Sequence, residues 1–337
     1  MIALVGDCEP GQSAYLAPGH PGWGEPRNWE RSWSWRGNLR SVMWRDSRAM
    51  VKNWSTFNEH GSVAAMSELL GEVAARGIEK MPSGYGDLFH KLHGTPPTQA
   101  HVRKMFPQVP GGWEMAITHG DIRQPLYQYD IRSAYLWSLA QNLPSPNSFV
   151  TVKRVSGPGL YLVESPAREG APYPWHVPGI FPATLEEIET LNLPYKSVRW
   201  GTAYDPDTWR TSQWVDSIQG WSCWKAVARA FWGRWATSGR TCQHTYAPDG
   251  GIRSETDIAD PCSNPVWASI ITSRIRLRLW EIVWRQPVHR VYLDSVLTTE
   301  PLEESAEIGG WREDKYFPKG GFITTQKVLG HYEQRAA

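Results

Sequence analysis

Residues 127–146 read YQYDIRSAYLWSLAQNLPSP. The apolar and aromatic run that ends at Asp130 predicts a strand, and apolar positions at helical spacing follow until Pro144 stops them. One carboxylate therefore stands where a strand gives way to a helix, with Ser133 and Tyr135 just after it. The sequence leaves two uses for that acid open. Asp130 caps the helix, the commonest role of Asp at such a junction, or it is a metal ligand.

The surrounding chain limits the classes of protein to consider. Its 337 residues are 41% hydrophobic, enough for two or three domains with a sizeable core, so global disorder is excluded. No apolar run approaches the length of a membrane span. The start, MIALVGDCEP, lacks the basic and apolar segments of a signal peptide, so an intracellular protein is expected. Cys8, Cys223, Cys242 and Cys262 are too few for a disulfide framework in a chain this long. Three of them with His244 could supply zinc ligands, but the spacing lacks CxxC pairs, and reduced structural thiols are the plainer reading.

The net charge is only +1, yet its distribution is uneven. Residues 221–240 carry Lys225, Arg229, Arg234 and Arg240 with no acid among them. A positive stripe interleaved with aromatics suits a phosphate backbone, although a solvated helix face reads the same way. The 20 tryptophans could stack on bases, but most belong to the core.

Working outward, IALVG predicts a short strand in an otherwise aperiodic stretch 1–55. Residues 61–79 show helical spacing, GLYLVES reads as a strand, and ATLEEIETLNL as a helix with a Thr184–Glu187 capping box. WVDSIQGWSCWKAVARAFWGRW and PVWASIITSRIRLRLWEIVWRQ predict two long helices, with a hairpin at TYAPDGGIR between them. HRVYLDSVLTT then reads as strand, turn and strand around Asp294, which could be a plain turn residue. This order brings Asp130 and Asp294 onto neighbouring strands of one sheet. Two such carboxylates facing a basic helix match what phosphoryl transfer from a nucleoside triphosphate needs. The acids hold two divalent metals, and the cationic side chains neutralise the triphosphate.

At these residues the chain resembles the family B DNA polymerases, most closely the protein-primed bacteriophage type. DIRSAYLWSLAQNLP is similar to their first palm motif, D-x-x-S-L-Y-P, with Leu136 in place of Pro. The resemblance implies Asp130 as first metal ligand and Tyr135 as a steric gate under the sugar, with Ser133 and Ala134 beside it in the dNTP site. KAVARAFWGRW is similar to the fingers motif K-x-x-x-N-S-x-Y-G. Lys225 would contact the triphosphate, Arg229 stands where the family has Asn, Trp232 where it has Tyr, and Gly233 is kept. VWASIITSRIRLRL resembles the helix leading back into the palm, with Thr272 near DNA. VYLDSVLTT resembles Y-x-D-T-D-S with one Asp missing, and Asp294 and Ser295 align with its final D-S. IGGWREDKYFPKGGFITTQK resembles the segment after it, where Lys327 would support the primer strand. His119 and Gly120 would lie in a loop touching template.

The implied fold is α+β: a polymerase palm, an antiparallel sheet with helices, plus helical fingers and a small exonuclease-like remnant. The implied domains are a reduced N-terminal region at 1–79, a first palm part at 80–204, fingers at 205–290 with a hairpin insertion near 236–263, and a second palm part at 291–337. Asp7 and Glu9 have the spacing of an exonuclease motif, but Gly61 stands where its last acid is expected, so proofreading is expected to be absent. Little chain follows Lys327, so a thumb is expected to be missing. The implied cofactor is Mg²⁺ or Mn²⁺. The implied partners are DNA template-primer, dNTPs, and a protein primer or processivity partner, in the cytoplasm of a bacterium or a phage-infected host. Two other functions stay open: a palm-fold nucleic-acid-binding protein without catalysis, and a primase-like enzyme making short strands.

Overall fold

The computed structural model describes residues 112–168, 175–218 and 263–323 without a break. Outside these it describes 3–5, 14–15, 41–44, 50–53, 75–76, 88–89, 92–93, 100–106, 109, 227, 231–233, 235–236, 240–246, 252–259 and 328–330. The chain divides into two compact units. One comprises Met1–Pro96 with Ser217–Cys262, the other Pro97–Asp216 with Ser263–Ala337. No helix among the described residues is long and apolar enough to cross a membrane.

In the first unit, β1 (Ala3–Val5), β2 (Ala14–Tyr15), β3 (Ser41–Trp44) and β4 (Met50–Asn53) form an antiparallel sheet in the order β2-β1-β3-β4. Only β1 was legible in advance, because strands of two to four residues are too short to print a period of two. Phe89 stacks on Phe231 at 4.6 Å and meets Trp235 edge-on at 5.8 Å. The hairpin expected at TYAPDGGIR is present, with Tyr246 opposite Ile252 where its strands Arg240–Tyr246 and Ile252–Ala259 approach the turn. The helix expected at 61–79, most of the one expected at 214–235, and the proposed zinc and exonuclease side chains lie outside the described residues.

The second unit holds α1 (Ala100–Met105), β5 (Trp113–Ala116), β6 (Gly120–Ile122), β7 (Leu126–Ile131) and α2 (Ala134–Ala140). After these come β8 (Val150–Val152), β9 (Gly159–Ser165), β10 (Gly179–Thr184), α3 (Leu185–Thr190), β11 (Ser197–Ala203) and α4 (Ser212–Ile218), whose last two residues are counted with the first unit. The hairpin strands of the first unit are β12 and β13. The long helix α5 (Pro265–Arg285) then leads into β14 (Val288–Leu293), β15 (Ser295–Thr298), β16 (Trp311–Phe317), β17 (Gly321–Ile323) and β18 (Val328–Gly330). Three antiparallel sheets result: β16-β7-β15-β14-β5, β10-β9-β11-β8 and β18-β17-β6.

Helix α5 ties this unit together. Asn264 caps it by accepting from the Trp267 N–H at 3.2 Å, and Pro265 opens its first turn. Leu277 and Trp280 close the core of Tyr161, Val163, Trp175, Ile188 and Leu191. The capping box of α3 is present, and it also anchors α5. Glu187 Oε2 accepts from the Thr184 N–H, while its Oε1 lies 2.7 Å from Nη2 of the fully buried Arg276. The Thr184 and Ser273 hydroxyls meet at 2.7 Å. The sequence reading grouped 265–285 with the fingers; these contacts place the helix in the unit that carries Asp130.

Candidate active site

Strand β7 ends in Asp130-Ile131 and lies between β15 and β16. Strand side chains alternate, and residues paired across strands share a face. The register sets Arg312 and Ser295 opposite Asp130, Tyr292 opposite Ser295, and Glu114 opposite Tyr292. Glu114, Tyr292, Ser295, Asp130 and Arg312 thus form one row across the sheet. The other face is packed: Trp113 lies 5.9 Å from Trp280, and the Arg278 guanidinium sits 5.9 Å over the Trp311 ring. Helix α5 covers the Trp113 and Trp311 side, so Asp130 looks out on the opposite one.

Asp130 does not cap α2. Ser133 stands at the N-cap in a left-handed conformation, φ 55° and ψ 47°, and its side chain makes no capping bond. Backbone bonds instead knit the end of β7 to two other segments. The Ile131 N–H donates to the Asp294 carbonyl at 2.9 Å, and the Arg132 N–H donates to the Gly310 carbonyl at 2.8 Å. The Gly309 N–H returns to the Arg132 carbonyl at 2.8 Å. Gly309 has φ 85°, and a Cβ there would fall 2.0 Å from Trp137 Cδ1, so only glycine fits this crossing.

Asp294 occupies the tip of the β14–β15 hairpin, as the plain turn reading allowed, and this brings it beside Asp130. Its predecessor Leu293 has φ 57°, a left-handed conformation unusual for a branched side chain. Gly112 makes room for it, because a Cβ at 112 would lie 2.8 Å from Leu293 Cδ2. The Ser295 hydroxyl donates to the Tyr292 carbonyl at 2.9 Å and closes the turn.

The site is rich in negative charge. The Asp130 carboxyl is pushed up to about 6, first by burial and then by the charges of Asp314 and Asp294, with Arg312 opposing them. Arg312 Nη2 lies 3.4 Å from Asp130 Oδ2. Asp314 is held by Gln128 Nε2 at 2.9 Å, beside a register shift between Glu313 and Lys315. Such bulges re-aim side chains. Neither Arg312 nor Asp314 was singled out in the sequence, where WREDKYF reads as a mixed-charge run. Among the described residues no three His, Cys, Asp or Glu side chains form a metal-ligand cluster.

The other expected residues are scattered. Tyr135 is half-buried in the first turn of α2, and Ala134 before it is buried. Thr272 corrects the sequence reading: it is buried within α5, and its hydroxyl donates to the Ala268 and Ser269 carbonyls, so it has no exposed group for DNA. Exposed His119 precedes Gly120, which has φ 107° and opens β6 opposite Ile323. Trp232 is half-buried and Gly233 exposed in the first unit. Lys225, Arg229 and Lys327 lie outside the described residues.

The antiparallel sheets, one of them backed by a helix, belong to a fold distantly similar to that of a solved polymerase. The likeness is to Phi29 DNA polymerase. In its complex with primer-template DNA, the TM-score is 0.54 at 13% identity, covering 76% of this chain and 56% of that one. In its ternary complex with primer-template DNA and incoming nucleotide substrates, the TM-score is 0.54 at 12% identity, covering 79% and 60%. This chain therefore spans little more than half the length of that polymerase. No protein-family model matches the sequence, and no curated protein matches it.

Proposed function

We propose that the chain carries out template-directed nucleotidyl transfer from dNTPs on the palm of a minimal family B polymerase. One observation supports this reading: the Ile131 N–H donates to the Asp294 carbonyl, which brings the hairpin tip to the end of the strand carrying Asp130, and the Asp294 charge acts on the Asp130 carboxyl in a polymerase-like sheet. The donor set fits the metal this chemistry needs. Both groups are hard oxygen donors suited to Mg²⁺ or Mn²⁺, and the Asp130 carboxyl, raised first by burial and then by the charges of Asp314 and Asp294, lies in negative charge that a cation would relieve. A divalent ion held there would supply Lewis acidity toward the attacking 3′-hydroxyl and the departing pyrophosphate.

The chain's own groups would do the rest. Asp130 and Asp294 hold the cations, and the backbone bonds at Ile131 and Arg132 fix where those carboxylates stand. Tyr135, with Ser133 and Ala134, lines the sugar site and excludes a 2′-hydroxyl, while Lys225 and Arg229 bind the triphosphate. His119, Gly120, Trp232, Gly233 and Lys327 contact DNA. A second reading is a palm-fold nucleic-acid-binding protein without catalysis. It is favoured by Arg312, a cation already paired with Asp130, and by the acid that the third motif lacks. Primer extension separates the two, run with dNTPs and rNTPs, in Mg²⁺ and in Mn²⁺, with and without an annealed primer. The polymerase reading expects dNTP incorporation that requires Asp130; template binding without incorporation in either metal selects the other.

A further inference from the structure

Arg312 stands where a metal ion at Asp130 would need to be. The register sets the two residues directly opposite on one face, and Nη2 lies 3.4 Å from Oδ2. Among the described residues no other side chain pairs with Asp130. The contact is one long bond, not a bidentate fork, between side chains 41% and 24% exposed. Strand β16 is the outer strand of its sheet, bordered at Trp311 and Glu313 by the Glu304–Ser305 segment, and among the described residues no bond from that segment holds the Arg312 guanidinium. A pair of this geometry is weak and parts readily.

We infer, building on the metal reading above, that Arg312 is a tethered counter-ion of Asp130 which a divalent cation displaces when it binds. At equal separation a divalent ion repels a guanidinium twice as strongly as the guanidinium attracts a carboxylate, so a cation bound at Oδ2 disfavours the Arg312 contact there. Without metal, Arg312 keeps the acidic face neutralised. With metal, it swings off the edge strand into solvent. Metal binding is therefore an exchange of cations, and its affinity is lowered by the work of parting the ion pair. Arg132 has no such role, although it lies only two residues from Asp130: its Nε donates to the Ser305 carbonyl at 3.1 Å.

The test is Mn²⁺ titration of the full chain by calorimetry, with the melting temperature in EDTA recorded alongside. Arg312→Gln is expected to bind Mn²⁺ about threefold to tenfold more tightly than wild type, and to melt lower in EDTA. Arg312→Lys and Arg132→Gln are expected to stay at the wild-type affinity. Equal affinity in wild type and Arg312→Gln overturns the inference alone. Equal tightening by Arg132→Gln also overturns it, because a general field would then explain both. An ion that is absent from every variant, or that persists in Asp130→Asn, overturns the metal reading and this inference with it.

Discussion

The two faces of the five-stranded sheet are built from the same strands and follow opposite rules. On one, Trp113, Val291, Val296 and Trp311 are buried, with α5 packed behind the two tryptophans. On the other, the charges of Asp314 and Asp294 act on the Asp130 carboxyl, which one weakly held guanidinium, Arg312, opposes. Like charges held together destabilise a fold unless something else holds the strands. Here the packed face and the backbone bonds at Ile131 and Arg132 do so, and the open face is free to accumulate charge for a purpose other than folding.

The largest test of that division is Asp130→Asn. Losing a metal ligand should cut incorporation by several kcal/mol of barrier, roughly a thousandfold. Stability should move the other way. The Asp130 carboxyl sits at about 6, above its ordinary 3.8, so the folded chain holds this proton more tightly than the unfolded one. Metal-free protein should then lose stability as pH rises from about 4 through about 6. The Asn variant lacks that slope, and at pH 7.5 in EDTA it should melt no lower than wild type. An inactive variant that also melts several degrees lower would assign Asp130 to the fold instead.

The packed side gives the complementary result. Glu187 and Arg276 are buried partners at 2.7 Å, and Glu187 also closes the capping box of α3. Removing the charge from one partner strands the other without water, which typically costs about 3–5 kcal/mol. Glu187→Gln should therefore lower the urea midpoint strongly, while the Mn²⁺ affinity of the protein that remains folded stays as in wild type. A weakened ion affinity in folded variant would mean that the two faces are coupled through α5.

How much of this was legible beforehand follows the same line. The strand-to-helix change at Asp130 is a switch of period, and the Thr184–Glu187 box is a local pattern, so both were readable. So was the hairpin that carries Asp294. Arg312 and Asp314 were not, because what matters about them is the strand they lie beside and the register shift in β16. Thr272 misled for a related reason: a motif position says nothing of burial, and its hydroxyl is spent on its own helix. The short strands β2 to β4 left no period to detect.

The smallest effect should come from the hairpin tip, where the two rules meet. Leu293 lies in the left-handed region, which costs a non-glycine residue about 1–2 kcal/mol. The residue is 37% exposed, so core packing does not force this conformation. Strain retained at such a place points to a demand on the next residue, Asp294, whose carbonyl accepts from Ile131. Leu293→Gly removes the strain but loosens the unfolded chain, an entropic cost of roughly 0.5–1 kcal/mol, so the net gain should be about 0.5–1 kcal/mol. The variant should melt slightly higher in EDTA and bind Mn²⁺ slightly more weakly, because a freer turn no longer holds Asp294 in one orientation. A rise in both stability and ion affinity would show the strain to be incidental to the site.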